Sequence, residues 1–229
     1  MNFYERAHKN LSGLIKKIFR IRVEGAENEP TEGGYLACSN HISFFDVIVM
    51  AVATKRQIRF MAKKELFGIP ILGKLITALG AFPVDRKGNS AGSIKKSISL
   101  LESGEVVGMF PQGHRYSGRE LESTRDAVKG GAAMAVWHAK VPVLPMYIET
   151  KNARVRPFRP ITIHIGKPIQ YEDFGFEKGG TAEYDRCAKL IFDDIISIKN
   201  AGALPAQKKN RTNDYCCCKI IINSATRVT

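Results

Sequence analysis

Apolar positions recur along this chain at two different periods. In FYERAHKNLSGLIKKIFRIRV, which starts at Phe3, the residues Phe3, Ala7, Leu11, Leu14, Ile15 and Ile18 are spaced by three and four, the period of one helical face. Arg6, Lys9, Lys16, Lys17, Arg20 and Arg22 take the polar positions, so the spacing predicts a basic amphipathic helix from residue 3 to about 23. Such a helix packs its apolar face on its own domain, the ordinary case, or lays it in a membrane interface.

The other period is that of strands. GYLACS, QIRFMA, AFPVD, EVVGMF, VPVLPMYIE and ITIHIG are short apolar or alternating runs bounded by turn residues, and each predicts a strand. Helices are predicted between them: from Ser43 to about Ala53, a short helix, a break and a second helix within AKKELFGIPILGKLITALGA, SIKKSISLLESG ended by Gly104, and about 131–139. A final amphipathic helix runs from Thr181 to about Asn200, with Tyr184, Ala188, Ile191, Ile195 and Ile198 on one face. Pro142 and Pro145 inside a strand suggest a sheet edge or an irregular end. The alternation predicts an α/β single domain: a mostly parallel or mixed central sheet flanked by helices, preceded by the N-terminal amphipathic helix. The expected division is 1–23 for that helix, 24–202 for the domain, and 203–229 for a poorly ordered tail in which only KIII has strand character.

Composition narrows the partners. The chain has 229 residues, is 44% hydrophobic and carries a formal net charge of +13, which suits a globular domain with an anionic partner. Nucleic acid, an anionic membrane surface, a phosphorylated substrate and an acidic carrier protein all qualify, but no nucleic-acid module pattern or aromatic stacking platform is present. Five cysteines, an odd number, do not make a disulfide framework; Cys38 and Cys187 read as buried thiols. Cys216, Cys217 and Cys218 are consecutive and lack the gap that aims two thiolates at one zinc, so no metal site is expected. No apolar run reaches bilayer-spanning length and the N-terminus has no signal-peptide pattern, so the expectation is a soluble or monotopic protein.

Four stretches hold candidate chemistry. In SNHISFFD, Ser43-x-x-Asp46 matches a capping box with aspartate in place of the usual glutamate, which accounts for Asp46 and leaves His41 unexplained. Positions five apart do not share a helical face, so the two side chains meet only if His41 lies before the helix and folds back. Asp46 would then hold one ring nitrogen and leave the other as a base. From these residues alone the cap is the better reading. In GAFPVDR, Arg86 follows a strand and could fork onto phosphate oxygens or be a surface arginine. FPQGHRYSG leaves a buried strand with Gln112, Gly113, His114 and Arg115 in a loop where α/β sheets bind ligands, or where a solvated loop merely carries a basic pair. KVPVLPM means nothing functional by itself.

Order and spacing say more. Asn40-His41-x-x-x-x-Asp46, Gly80-x-Phe82-x-Val84-x-Arg86, Phe110-Pro111-x-Gly113-x-Arg115-x-x-Gly118 and Val141-Pro142-Val143-Leu144-Pro145 together resemble the glycerolipid acyltransferase family, and within it the bacterial 1-acyl-sn-glycerol-3-phosphate acyltransferases, over about residues 20–170. The resemblance implies that His41 deprotonates the glycerol hydroxyl and Asp46 orients it. It implies that Arg86, Gly113 and Arg115, with Gln112 beside them, bind the acceptor lysophosphatidic acid, and that Pro142 and Pro145 lie toward the acyl donor. The donor it implies is acyl-CoA or acyl-carrier protein, the setting an anionic membrane surface on its cytoplasmic face, and no cofactor, metal or nucleic acid is expected. The apolar stretch 62–81 would be core packing or the wall of an acyl-chain site. The chain departs from the family pattern at Gln112, usually glutamate, and His114, usually threonine, which leaves another lysophospholipid open as acceptor. A non-enzymatic binder of anionic membranes or nucleic acid is the alternative of a different class.

Overall fold

A computed structural model describes residues 3–84 and 90–202. The helix predicted to reach about residue 23 stops earlier, as α1 (Phe3–Ile18), and β1 (Ile21–Glu24) follows. Arg20 between them adopts φ 45, which ends the helix, and from Phe19 to Glu24 apolar and polar residues alternate with the strand period. The remaining elements follow the predicted order: β2 (Tyr35–Ser39), α2 (Asp46–Ala53), β3 (Ile58–Lys63), α3 (Lys64–Phe67), α4 (Pro70–Ala78), β4 (Phe82–Val84) and α5 (Ser90–Glu102). After them come β5 (Val106–Met109), α6 (Gly131–Ala139), β6 (Val143–Thr150), β7 (Ile161–Ile165) and α7 (Thr181–Gly202). The tail, with KIII and its three cysteines, lies outside the described residues.

The strands form one mixed sheet in the order β1-β7-β6-β2-β5-β3-β4. β6, β2, β5, β3 and β4 are parallel; β7 pairs antiparallel to β6, and β1 runs parallel to β7. The C-terminal ends of the five parallel strands therefore share one edge of the sheet with the beginnings of β1 and β7. β6 is not the edge strand its prolines suggested: it lies between β7 and β2. The irregularity is real, however. Between the Val143–Ile169 bridge and the Met146–Ile165 pair, β6 advances three residues and its partner four, so Pro145 sits at a bulge where a missing N–H costs no ladder bond.

Alternate side chains of the buried central strands build two cores. Leu36, Cys38, Val107 and Val143 face α5, α6 and α7, where Cys187, Ala188, Ile191, Phe192 and Ile195 of α7 complete the packing. Tyr35, Ala37, Val106 and Met146 face α2, with Val49 and Met50 against them. Burial on both faces is why β2 and β5 read as unbroken apolar runs. Cys38 and Cys187 are free and buried.

Gly108 in β5 is required by its neighbour. It pairs with Phe60 of β3, and a Cβ at 108 would fall 2.3 Å from the Phe60 ring. We expect Gly108→Ala to destabilise the fold by about 1–3 kcal/mol through overpacking, read as a lower urea midpoint. Phe60→Leu in the same background should recover part of the loss; a Gly108→Ala midpoint equal to wild type would refute the account.

Candidate active site

His41 leaves the C-terminal end of β2 just before α2, so it lies outside the helix as a contact with Asp46 requires. The turn folds back: His41 Nδ1 lies 2.7 Å from Asp46 Oδ2. The same oxygen accepts the backbone N–H groups of Ile42 and Ser43, each at 2.7 Å. The cap and the histidine partner, alternatives on sequence, are thus one interaction. Half of the predicted capping box forms, the carboxylate reaching back to the Ser43 N–H; the other half is displaced, because Ser43 Oγ accepts from Phe45 N–H at 3.2 Å. α2 consequently starts at Asp46 and not at Ser43.

Three donors converge on one carboxylate oxygen, so the proton on Nδ1 faces Asp46, and in the neutral ring Nε2 is the nitrogen left with a lone pair. Asp46 is 0% exposed and the His41 side chain 12%. The imidazole lies flat on Phe110, with centroids 3.9 Å apart and planes 11° apart, and Phe110 continues toward Phe60 at 6.3 Å. Gly108 thereby supports the site: the room it leaves lets Phe60 sit beneath Phe110.

The histidine backbone is held as tightly as its ring. His41 N–H donates to Gln112 Oε1 at 2.7 Å, and His41 C=O accepts Tyr116 N–H at 2.8 Å. Gln112 Nε2 in turn donates to Thr124 Oγ1 at 2.7 Å, and the Thr124 hydroxyl donates to Leu121 C=O. Asn40 extends the β2–β6 pairing by one residue through its side chain, donating to Ile148 C=O at 3.1 Å and accepting Ile148 N–H at 2.8 Å. Asn40, Phe110, Tyr116 and Thr124 thus fix His41 in place. Sequence reading assigned none of them a role; Asn40 and Phe110 stand within the matching blocks, whereas no pattern pointed to Thr124.

Gly113 and Arg115 lie on the loop leaving β5, at the edge that carries His41, with Arg115 exposed and Gly113 at φ 68 in a tight turn. Gln112 is buried, and both ends of its amide are engaged inside the protein. Arg86 lies two positions past Val84, outside the described residues. A cleft of about 440 Å³ opens beside the His41 backbone, lined among others by Asn40, Gln112, Tyr116, Thr124 and Tyr147. Burial pushes the Tyr147 phenol up to about 12, so it remains a neutral hydroxyl there.

The architecture is that of an α/β protein with a carboxylate-held histidine at the carboxyl edge of its sheet, where such sheets place their ligands. The acyltransferase family model matches residues 20–149. The chain belongs to the acyltransferase family. It is 34% identical over 175 residues to a 1-acyl-sn-glycerol-3-phosphate acyltransferase of Bacillus subtilis, covering 73% of this chain and 84% of that one. It is 38% identical over 147 residues to a Streptococcus pneumoniae protein of the same name, covering 61% of this chain and 51% of that one. The crystal structure of the 1-acyl-sn-glycerophosphate (LPA) acyltransferase PlsC from Thermotoga maritima shares the fold, with a TM-score of 0.63 over 90% of this chain and 86% of that one at 24% identity.

The shared oxygen separates structure from chemistry. Asp46→Ala strands two buried N–H groups and should cost about 1–3 kcal/mol, whereas His41→Ala leaves both satisfied and should move the denaturation midpoint much less. Equal midpoints for the two variants would show that the backbone bonds to Asp46 contribute nothing.

Proposed function

We propose that this chain moves a fatty acyl group from a thioester donor, acyl-CoA or acyl-carrier protein, to the sn-2 hydroxyl of 1-acyl-sn-glycerol-3-phosphate, giving phosphatidic acid for phospholipid synthesis. One observation carries the reading: in a chain of the acyltransferase family, Asp46 holds His41 with Nε2 free to act as a base. The names of the Bacillus and Streptococcus relatives support the acceptor.

The chemistry follows from that geometry. Nε2 takes the hydroxyl proton as the oxygen bonds to the thioester carbonyl carbon. The C–S bond breaks, and the imidazolium returns the proton to the departing thiolate. Asp46 keeps the ring oriented and stabilises its transient charge without itself taking the proton. Phe110 prevents the ring from tilting, and the Gln112 and Tyr116 bonds fix the peptide that carries it, so little is lost in aligning base and hydroxyl. Gly113 and Arg115, with Arg86, remain the proposed acceptor-binding group, the arginines suiting phosphate. Gln112 serves by holding His41; its departure from the usual glutamate is absorbed inside the protein and does not argue for a different headgroup.

The catalytic unit in this reading starts at β1, so it spans residues 21–202 and not the expected 24–202, and α1 attaches it to the membrane. α1 packs through Tyr4, whose hydroxyl donates to Ala51 C=O at 3.4 Å, and its end packs through Phe19 on Phe45, while Leu11 and Leu14 remain exposed. Among the described residues no helix is long and apolar enough to cross a membrane. The proposed location is peripheral, on the cytoplasmic face, whose anionic lipids suit a charge of +13.

Thiol release from an acyl thioester in the presence of lysophosphatidic acid tests the proposal. Wild type should transfer, and His41→Ala should lose about 10²–10⁴-fold in kcat while folding normally. Transfer by the variant at the wild-type rate would overturn the role of His41; turnover only with a different lysophospholipid would overturn the acceptor.

A further inference from the structure

The edge that carries His41 is bordered by side chains the reaction does not use. Between β6 and β7 the chain reads KNARVRPFRP, residues 151–160, and no acidic residue occurs from 151 to 171. Lys151, Arg154, Arg156 and Arg159 are exposed there. Among them stands Phe158, 72% exposed and at φ 62. A bulky side chain in the left-handed region is strained, and strain persists only where the surroundings impose it. Here the end of α1 imposes it, since Phe158 N–H donates to Ile18 C=O at 2.8 Å. The fold thus holds a strained backbone whose result is a phenylalanine ring in solvent, with exposed Arg154, Arg156 and Arg159 on the same loop.

Topology determines where that ring lies. β1 and β7 begin at the edge where β2 and β6 end, so residues 151–160 and the corner between α1 and β1 border the His41 site. Phe44, 51% exposed, adjoins Phe45 in the turn before α2. Across the sheet α3 and α4 follow the end of β3, and Ile71, 84% exposed, opens α4. An exposed apolar side chain on a loop of exposed basic residues matches the layering of an anionic bilayer surface, acyl chains below and phosphates above.

We propose that residues 151–160 form a membrane-inserting loop: Phe158 enters the acyl boundary of an anionic bilayer while Arg154, Arg156 and Arg159 bind lipid phosphates. The loop sets the His41 edge on the lipid surface, where a lysophospholipid reaches the base without leaving the membrane. This rests on the membrane reading above and deepens it, assigning the contact to this loop as well as to α1. A second copy of the chain is disfavoured as the occupant, because it brings like charge against like.

Phe158→Gly tests the proposal with two readouts of opposite sign. Glycine adopts a positive φ freely, so the thermal midpoint should hold or rise. Partition into vesicles of phosphatidylglycerol and phosphatidylcholine should fall at least about tenfold. Phe158→Trp should show a blue shift and quenching by acyl-chain-brominated lipid beyond that of Trp137 alone. Partition of Phe158→Gly equal to wild type, an unshifted Phe158→Trp, or equal wild-type binding to vesicles of phosphatidylcholine alone would overturn it. If Leu11→Glu with Leu14→Glu abolishes partition while Phe158→Gly does not, the membrane reading stands and the loop proposal falls; a wild type that binds no vesicle takes down both.

Discussion

One carboxylate oxygen joins the fold to the proposed chemistry. Asp46 Oδ2 gathers the imidazole of His41 and the N–H groups of Ile42 and Ser43 within a turn of six residues, at the point where β2 gives way to α2. The backbone bonds let the turn reverse, and the reversal brings the histidine to the carboxylate. A group serving both purposes cannot be exchanged for a better cap without losing the ring, nor for a better ring partner without loosening the helix start. Complete burial of Asp46 makes each of the three bonds matter more than it would in water.

The site is assembled outward from that oxygen through contacts between residues far apart in sequence. Phe110, Gln112 and Tyr116 arrive from the loop after β5 because β5 lies next to β2 in the sheet. Ile148 arrives because β6 lies on the other side, and Asn40 spans that gap. Phe60 reaches Phe110 from β3 over the space left by Gly108. Each contact uses an adjacency between strands far apart in sequence, which is why a parallel sheet suits a histidine that must not move.

The same edge faces outward in a different manner. Apolar side chains that the two cores do not need appear at Phe44, Ile71 and Phe158, the last with Arg156 and Arg159 beside it in the chain. The proposed membrane contact rests on that arrangement, an edge rigid behind His41 and apolar in front, in a chain of net charge +13.

Local patterning was enough to predict the alternation of strands and helices, the two-helix break at α3 and α4, the start of α6 and the buried thiols, because each depends on hydrophobic period and turn residues alone. It misplaced the end of α1, where helical spacing and strand alternation overlap between Phe19 and Val23, and it left β6 as an edge or an irregular strand, because a bulge that accommodates Pro145 needs a partner strand to exist. At the site, the spacing of His41 and Asp46 favoured the cap over the histidine partner, since a contact between the two side chains depends on a backbone reversal that spacing does not show. Thr124 carried no signal, because its role exists only once the loop after β5 has folded over β2. The sequence by itself determined which residues could do acid–base work and which segments would form strands and helices. Only the tertiary structure decided that one oxygen serves both cap and histidine, since hydrogen bonds and ring stacking depend on distances that strand order, not chain order, sets.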